Sequence, residues 1–289
     1  MLNSEKEVNI HWDSEITPRK NLFDINFKEL WRYRDLVFLF VKKDFIATYK
    51  QTILGPLWHF FQPLFTTVVF LIVFTKLAKI PTNGIDPVLF YMSGLTLWNY
   101  FSTTLTATSS TFVSNANIFG KVYFPRLTLP ISIIISNLIK FSIQFGLLLL
   151  SMILFTIIGR TSINIGINWL LIIPVIFIMA GISLGLGLII SSITTKYRDM
   201  NVLIGFGIQL LMYITPIIYP MSFLIGKSYS VIVKWNPLTP LMEGFRFALF
   251  NSGTLPTMGL IYSLIFMIIS ITAGVIAFNQ VERNFMDSV

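Results

Sequence analysis

The chain has 289 residues, 54% hydrophobic and 12% charged, with a formal net charge of +8 and no cysteine. The missing cysteine excludes a disulfide framework and a thiolate metal site, and a mean hydropathy of +0.75 excludes an ordinary soluble domain. Residues 1–50 hold 17 of the 34 Lys, Arg, Asp and Glu; none occurs in 51–75, 87–120, 161–195, 200–226 or 247–281, and only Lys140 interrupts 127–159. A spanning helix needs ~20 apolar residues to cross a ~30 Å hydrocarbon core. The pattern is that of an all-α polytopic membrane protein with a short polar arm. We divide it into an N-terminal arm, 1–55, and a transmembrane domain, 56–289.

In chain order, the N-terminus is acidic and polar, without the apolar core of a cleavable signal peptide, so the first span is expected to direct insertion. Residues 24–45 read as an amphipathic helix, with Phe27, Leu30, Trp31, Val37, Phe38, Val41 and Phe45 on one arc. Such a helix lies in the membrane interface; the alternative is a docking or coiled-coil helix. Gly55-Pro56 breaks it before the first span. Six spans are expected near 57–76, 88–112, 128–158, 168–193, 200–220 and 257–280. Loops on the side of the termini then carry 14 Lys and Arg and the opposite loops six, which places both termini in the cytoplasm. The basic balance is thus topological, and no nucleic-acid partner is expected.

The first span carries Trp58, Phe61 and Phe65 on one face and Phe60, Phe70 and Phe74 on the other; either can line a path, and lipid-facing phenylalanine is the plain reading. In the second, eight of the ten residues from Ser102 to Thr111 are Ser or Thr, and Tyr91, Trp98, Phe101 and Phe112 share an arc. Hydroxyls beside rings make a wall on which a polyhydroxylated chain can slide; close helix packing through small residues explains the hydroxyls equally. Lys140, flanked by Asn137 and Gln144, extends a polar stripe down the third span. It either faces a wet interior or snorkels to the cytoplasmic interface. Gly181 and Gly185 form a GxxxG in the fourth span, the mark of a close helix crossing. Segment 221–256 contains an apolar stretch, 238–251, too short to span and expected to be re-entrant or interfacial, with Glu243 and Arg246 placed to pair at i, i+3.

Catalytic constellations are absent from the sequence: His11 and His59 stand far apart, and no span carries a carboxylate pair. Gly226-Lys227-Ser228 resembles the end of a phosphate loop but has Met221 where the first glycine is needed. The chain alone is therefore expected neither to bind nor to hydrolyse ATP. Two short loops on the basic side, Gly120–Arg126 and Thr194–Met200, combine basic residues with tyrosine and suit docking to a soluble partner.

The segments RDLVFLFVKKDFIATYKQTILGPLWHFFQP (34–63), KVYFPRLTLP (121–130), KYRD (196–199), TPIIYP (215–220), NPLTPLMEGFR (236–246) and a closing Glu282-Arg283 stand in an order that resembles the membrane subunit of polysaccharide-exporting ABC transporters of the ABC-2 type. The resemblance runs from about residue 22 to the C-terminus. It implies a homodimer of six-span subunits with a channel at their interface, in a bacterial inner membrane. Two cytoplasmic ATP-binding-cassette subunits would drive it; ATP and Mg would be held there, with no cofactor in this chain. The substrate implied is a lipid-linked polysaccharide of the O-antigen kind; capsule or teichoic-acid export is the alternative.

Under that resemblance Lys121, Val122, Tyr123, Phe124, Pro125 and Arg126 couple to the ATPase, joined by Lys196, Tyr197, Arg198 and Asp199. Tyr219, Pro220, Pro237, Glu243 and Arg246 belong to a gate at the far exit, and the N-terminal helix lies on the cytoplasmic membrane surface. The helical wheel adds Tyr91, Trp98, Phe101, Phe61, Phe65 and Lys140 as expected path residues. Two other classes remain. An ion-coupled flippase would favour ionisable residues in the spans and an inverted repeat. A membrane-embedded glycosyltransferase would need a carboxylate or histidine cluster at a membrane face. Co-purification with an ATP-binding subunit separates the three.

Overall fold

The computed structural model describes residues 27–50, 57–119, 121–122, 124–162, 166–197, 199–224, 226–228 and 230–285, and among them no strand occurs. The helices are α1 (Phe27–Arg32), α2 (Arg34–Tyr49), α3 (Trp58–Phe70), α4 (Pro87–Ser109), α5 (Thr111–Ser114), α6 (Ala116–Phe119), α7 (Thr128–Ile157), α8 (Ile172–Lys196), α9 (Met200–Ile214), α10 (Ser230–Trp235), α11 (Thr239–Phe250) and α12 (Thr257–Phe285). α3 carries Pro63 within it and continues as a π-helical stretch, Leu71–Leu77.

Among the described residues, four segments are long and apolar enough to cross a bilayer: Phe60–Leu77, Thr128–Ile157, Ile167–Lys196 and Thr257–Val281. Two expected spans differ. α4, at 23 residues, rises ~35 Å and has the length, but its Ser/Thr run dilutes its hydropathy. α9 is 15 residues, ~22 Å, and ends at Ile214 rather than near 220. The cause is local: Thr215 precedes Pro216, which disfavours helical backbone at the residue before it, and Thr215 is extended at φ −83°, ψ 139°.

α4 is the axis of the molecule. It packs against α3, α7, α8, α9 and α11, while α12 packs along α8. Asp86 begins α4 by accepting the Val88 N–H at 2.9 Å, with Pro87 in the first turn, where its missing N–H costs nothing. The Ser/Thr run packs: Thr104, Thr108, Ser109 and Thr111 are buried; the Ser109 hydroxyl donates to the Thr106 carbonyl of its own helix and the Thr111 hydroxyl to the Thr108 carbonyl of α4, each at 2.8 Å. Lipid gives helices no hydrophobic drive toward one another, so close approach of small residues holds the bundle.

That rule governs the α8–α12 crossing. A Cβ at Gly185 would stand 2.5 Å from the Ser270 carbonyl carbon, and one at Gly274 would stand 2.5 Å from the Gly185 oxygen. Gly181 likewise faces the Met267 side chain, as the GxxxG spacing led us to expect. Gly185→Ala is expected to destabilise the purified protein by about 1–3 kcal/mol through overpacking against backbone. Unfolding in detergent checks it; an unchanged midpoint would show that the crossing relaxes freely.

The expected N-terminal stretch is helical but divided at Tyr33, and it extends to Tyr49; residues 24–26 lie outside the described residues. Its arc splits. Val37 and Val41 are buried, whereas Trp31 (70%) and Phe38 (62%) are exposed, because α2 packs one face on α7.

Candidate functional site

The two expected docking loops lie at one end of the bundle. Thr194 near the end of α8 donates to the Ser109 carbonyl at the end of α4 at 2.8 Å. That contact brings the end of α4 to the end of α8, and α5 packs on α8. Within the first loop, Lys121 and Val122 are exposed, Pro125 is half-buried, and Phe124 and Arg126 are buried. Tyr123 and Arg198 lie outside the described residues. Lys196, Tyr197 and Asp199 are exposed, with the Lys196 ammonium 5.3 Å from the centre of the Tyr197 ring.

Phe124 joins three elements. Its ring lies 5.8 Å from Phe119 and 5.8 Å from Phe40 of α2. Phe119 continues to Phe112 at 5.7 Å, and Phe112 stacks on Phe278 of α12 at 4.4 Å. The Arg126 guanidinium covers the Phe119 ring at 5.3 Å. An apolar cluster thus links the loop surface to the interfacial helix and, through Leu188 and Phe278, to α8 and α12. The sequence reading missed Phe40, which it did not include in the apolar arc of that helix.

Two members of the α7 polar stripe are paired. Gln144 accepts from Asn99 of α4 at 3.5 Å. Lys140 pairs with Asp44 of α2 at 3.0 Å, and the Ser136 hydroxyl donates to the same Asp44 oxygen. Lys140 and Arg160 stand twenty residues apart on and just beyond α7, ~30 Å along a helix and hence one hydrocarbon thickness. Asp44 was missed because its partner is distant in sequence.

The wheel-based path residues separate into two groups. Tyr91, Trp98 and Phe101 are buried within the protomer, among Phe70, Phe74 and the α4–α8 core. A polymer cannot reach them without opening the bundle, and they are packing residues here. Phe61 and Phe65 behave otherwise. They stack on each other at 6.3 Å on the outer face of α3 and remain exposed, Phe65 at 65%. The first span's two faces are thereby assigned: Phe70 and Phe74 inward, Phe61 and Phe65 outward.

The residues expected at the gate form a knot around Arg246, which is 3% exposed. Its Nη1 donates to the Pro216 carbonyl at 2.6 Å and its Nη2 to the Ile217 carbonyl at 2.8 Å. Its guanidinium lies 3.6 Å from the Phe90 ring centre and 3.6 Å from Glu243. Gly94 makes room, since a Cβ there would come within 2.8 Å of Nη2. Glu243 also accepts the Met221 N–H at 3.2 Å, and Asn236 donates to Thr215 at 2.9 Å. The Tyr219 hydroxyl reaches the Tyr213 and Ile214 carbonyls at 2.9 and 3.2 Å, serving carbonyls that a helix end leaves unpaired. Pro220 is buried, and the Pro237 carbonyl accepts from Ser263 at 2.6 Å. The expected i, i+3 pair is thus the smaller part of Arg246's role: it ties α11 to the TPIIYP turn and to α4. A buried arginine in an apolar segment was itself the available signal, because such a charge needs more than one partner.

A helical bundle of apolar segments long enough to cross a bilayer, with a pinned set of short helices after α9, is that of an integral membrane protein. The chain matches the ABC-2 type transporter family over residues 35–250 and belongs to it. Two proteins from Klebsiella pneumoniae named O-antigen export system permease protein RfbA are each 28% identical to it over 254 residues, covering 88% of this chain and 94% of theirs. A protein of the same name from Myxococcus xanthus is 28% identical over 232 residues, covering 79% and 85%.

Proposed function

We propose that the protein is the channel-forming permease subunit of an ATP-driven exporter that moves a lipid-linked, O-antigen-like polysaccharide out of the cytoplasm across the bacterial inner membrane. In this reading it is a homodimer with six crossings per subunit and both termini cytoplasmic. Two ATP-binding-cassette subunits, carrying ATP and Mg, dock on the end formed by 121–126 and 196–199. Residues 215–251 gate the opposite exit. The relatives' names support the substrate class, and the count of basic residues supports the sidedness.

The observation that carries the channel reading is the unpartnered surface of two helices. α9 has no buried residue, and α3 leaves its outer face open. Along α9, Phe206, Gln209 and Tyr213 are exposed and fall on one arc; α3 offers Phe61, Gln62 and Phe65. Rings interleaved with amides suit a sliding glycan, whose apolar faces stack while its hydroxyls exchange hydrogen bonds. The proposed path therefore moves from α4 to α3 and α9, at the interface with a second copy.

Because the chain has no cysteine, single cysteines at Phe61, Phe65, Gln209 and Tyr213 give a clean test. They are expected to react with a membrane-impermeant thiol reagent in the assembled transporter. Phe65→Ala is expected to slow export about two- to tenfold, the worth of one ring contact, with folding unchanged. Labelling by lipid-soluble reagents alone would assign these faces to lipid.

A further inference from the structure

A cavity of about 320 Å³ lies beneath α2, where that helix meets the α4–α5 junction and α7. α2 lends it Lys43 and Asp44, the junction lends Ser110 and Ser114, and α7 lends Asn137 and Lys140. Its size is about ten times the ~30 Å³ share of one water molecule, room for a headgroup rather than a single solvent molecule.

Two observations point to an anion. Asp44 neutralises Lys140 at 3.0 Å but uses one of the three donors of that ammonium. Lys43 has no ion-pair partner among the described residues, so the lining keeps a net positive charge. Independently, the Asn137 side chain is 5% exposed, faces this cavity, and makes no hydrogen bond with any described residue. The amide lines the cavity, and whatever occupies the cavity meets it. Two ammonium groups and an amide N–H converging on one space are a donor set for phosphate oxygens. The exposed Leu39 and Ile46 lie on the arc of α2 next to Lys43, an apolar flank suited to a hydrocarbon chain.

We infer that this cavity binds the phosphate group of a membrane lipid, with Lys43 and Lys140 supplying charge and Asn137 fixing orientation. The inference rests on the placement of α2 at the cytoplasmic membrane surface proposed above. It does not require export.

The test is retention of defined probes by the purified full-length chain in neutral detergent, read by native mass spectrometry. The probes are inorganic phosphate, phosphatidylglycerol and a polyisoprenyl diphosphate. Wild-type protein is expected to retain one or both lipids and not inorganic phosphate; the preferred lipid names the source, bulk bilayer or carrier. Asn137→Asp, which keeps the size of the side chain and repels phosphate, is expected to weaken retention tenfold or more, and Lys43→Gln about tenfold, the loss of one charge-assisted hydrogen bond. Lys42→Gln, on another face of α2, is expected to leave it unchanged. Equal loss in the Lys42 and Lys43 variants, unaltered retention in Asn137→Asp, or equal binding of inorganic phosphate would each overturn the assignment. Intact lipid retention in a protein that exports nothing would refute the export reading alone.

Discussion

Arg246→Ala is expected to destabilise the protein by about 3–5 kcal/mol, the cost of breaking a buried charged cluster by removing one member. The change strands the Pro216 and Ile217 carbonyls in a buried setting, uncovers Phe90, and leaves Glu243 without its cation. Arg246→Lys is expected to recover only part of the loss. An ammonium cannot donate through a flat fork to two neighbouring carbonyls while stacking on a ring. Unfolding of the detergent-solubilised variants measures the difference. Export is expected to fail with it, because the knot holds the end of α9 against α11. Wild-type stability in Arg246→Ala would contradict the view of this knot as the anchor of the exit helices.

The second large effect is expected at Phe124. Truncation to Ala removes the ring that joins the loop surface, through Phe119, to α2 and α12. Buried Phe→Ala changes cost about 3–5 kcal/mol, but here the stability loss falls on a short loop and one interfacial helix. The expected phenotype is uncoupling: the assembled complex turns over ATP while export drops to background. Phe40→Ala, on the other side of the contact, is expected to do the same, and Phe124→Leu to retain part of the coupling. Replacing Tyr123 together with Phe124 is expected to release or uncouple the ATPase. Parallel ATPase and transport assays in proteoliposomes decide the matter. Wild-type export per ATP in Phe124→Ala would remove the cluster from the transmission path.

What was legible in the sequence followed from single-helix physics. The long uncharged runs marked α3, α7, α8 and α12, and the GxxxG marked a crossing at which Gly185 meets the α12 backbone. The Ser/Thr run, open to two readings, proved to be packing at its buried positions. The failures arose where one helix could not report its neighbour. Tyr91, Trp98 and Phe101 share a face, yet the wheel could not tell that α3, α8 and the core cover it. Lys140 pairs with Asp44, a partner too far off in sequence for the wheel to show. Arg246 read as half of a helical pair because its main acceptors are backbone carbonyls some thirty residues away. The early end of α9 was readable after all, since Thr215-Pro216 carries its own stop signal.

The central claim is that this chain conducts a polysaccharide only when a separate ATPase drives it. It is tested most directly by reconstituting the purified chain with its ATP-binding-cassette subunit in vesicles loaded with lipid-linked polysaccharide and following appearance of the glycan on the far face. The account expects no ATP hydrolysis by the chain alone, and glycan transfer only when both subunits and ATP are present. Robust ATP turnover by the chain alone, or glycan transfer that proceeds undiminished without ATP or driven by an ion gradient, would contradict it.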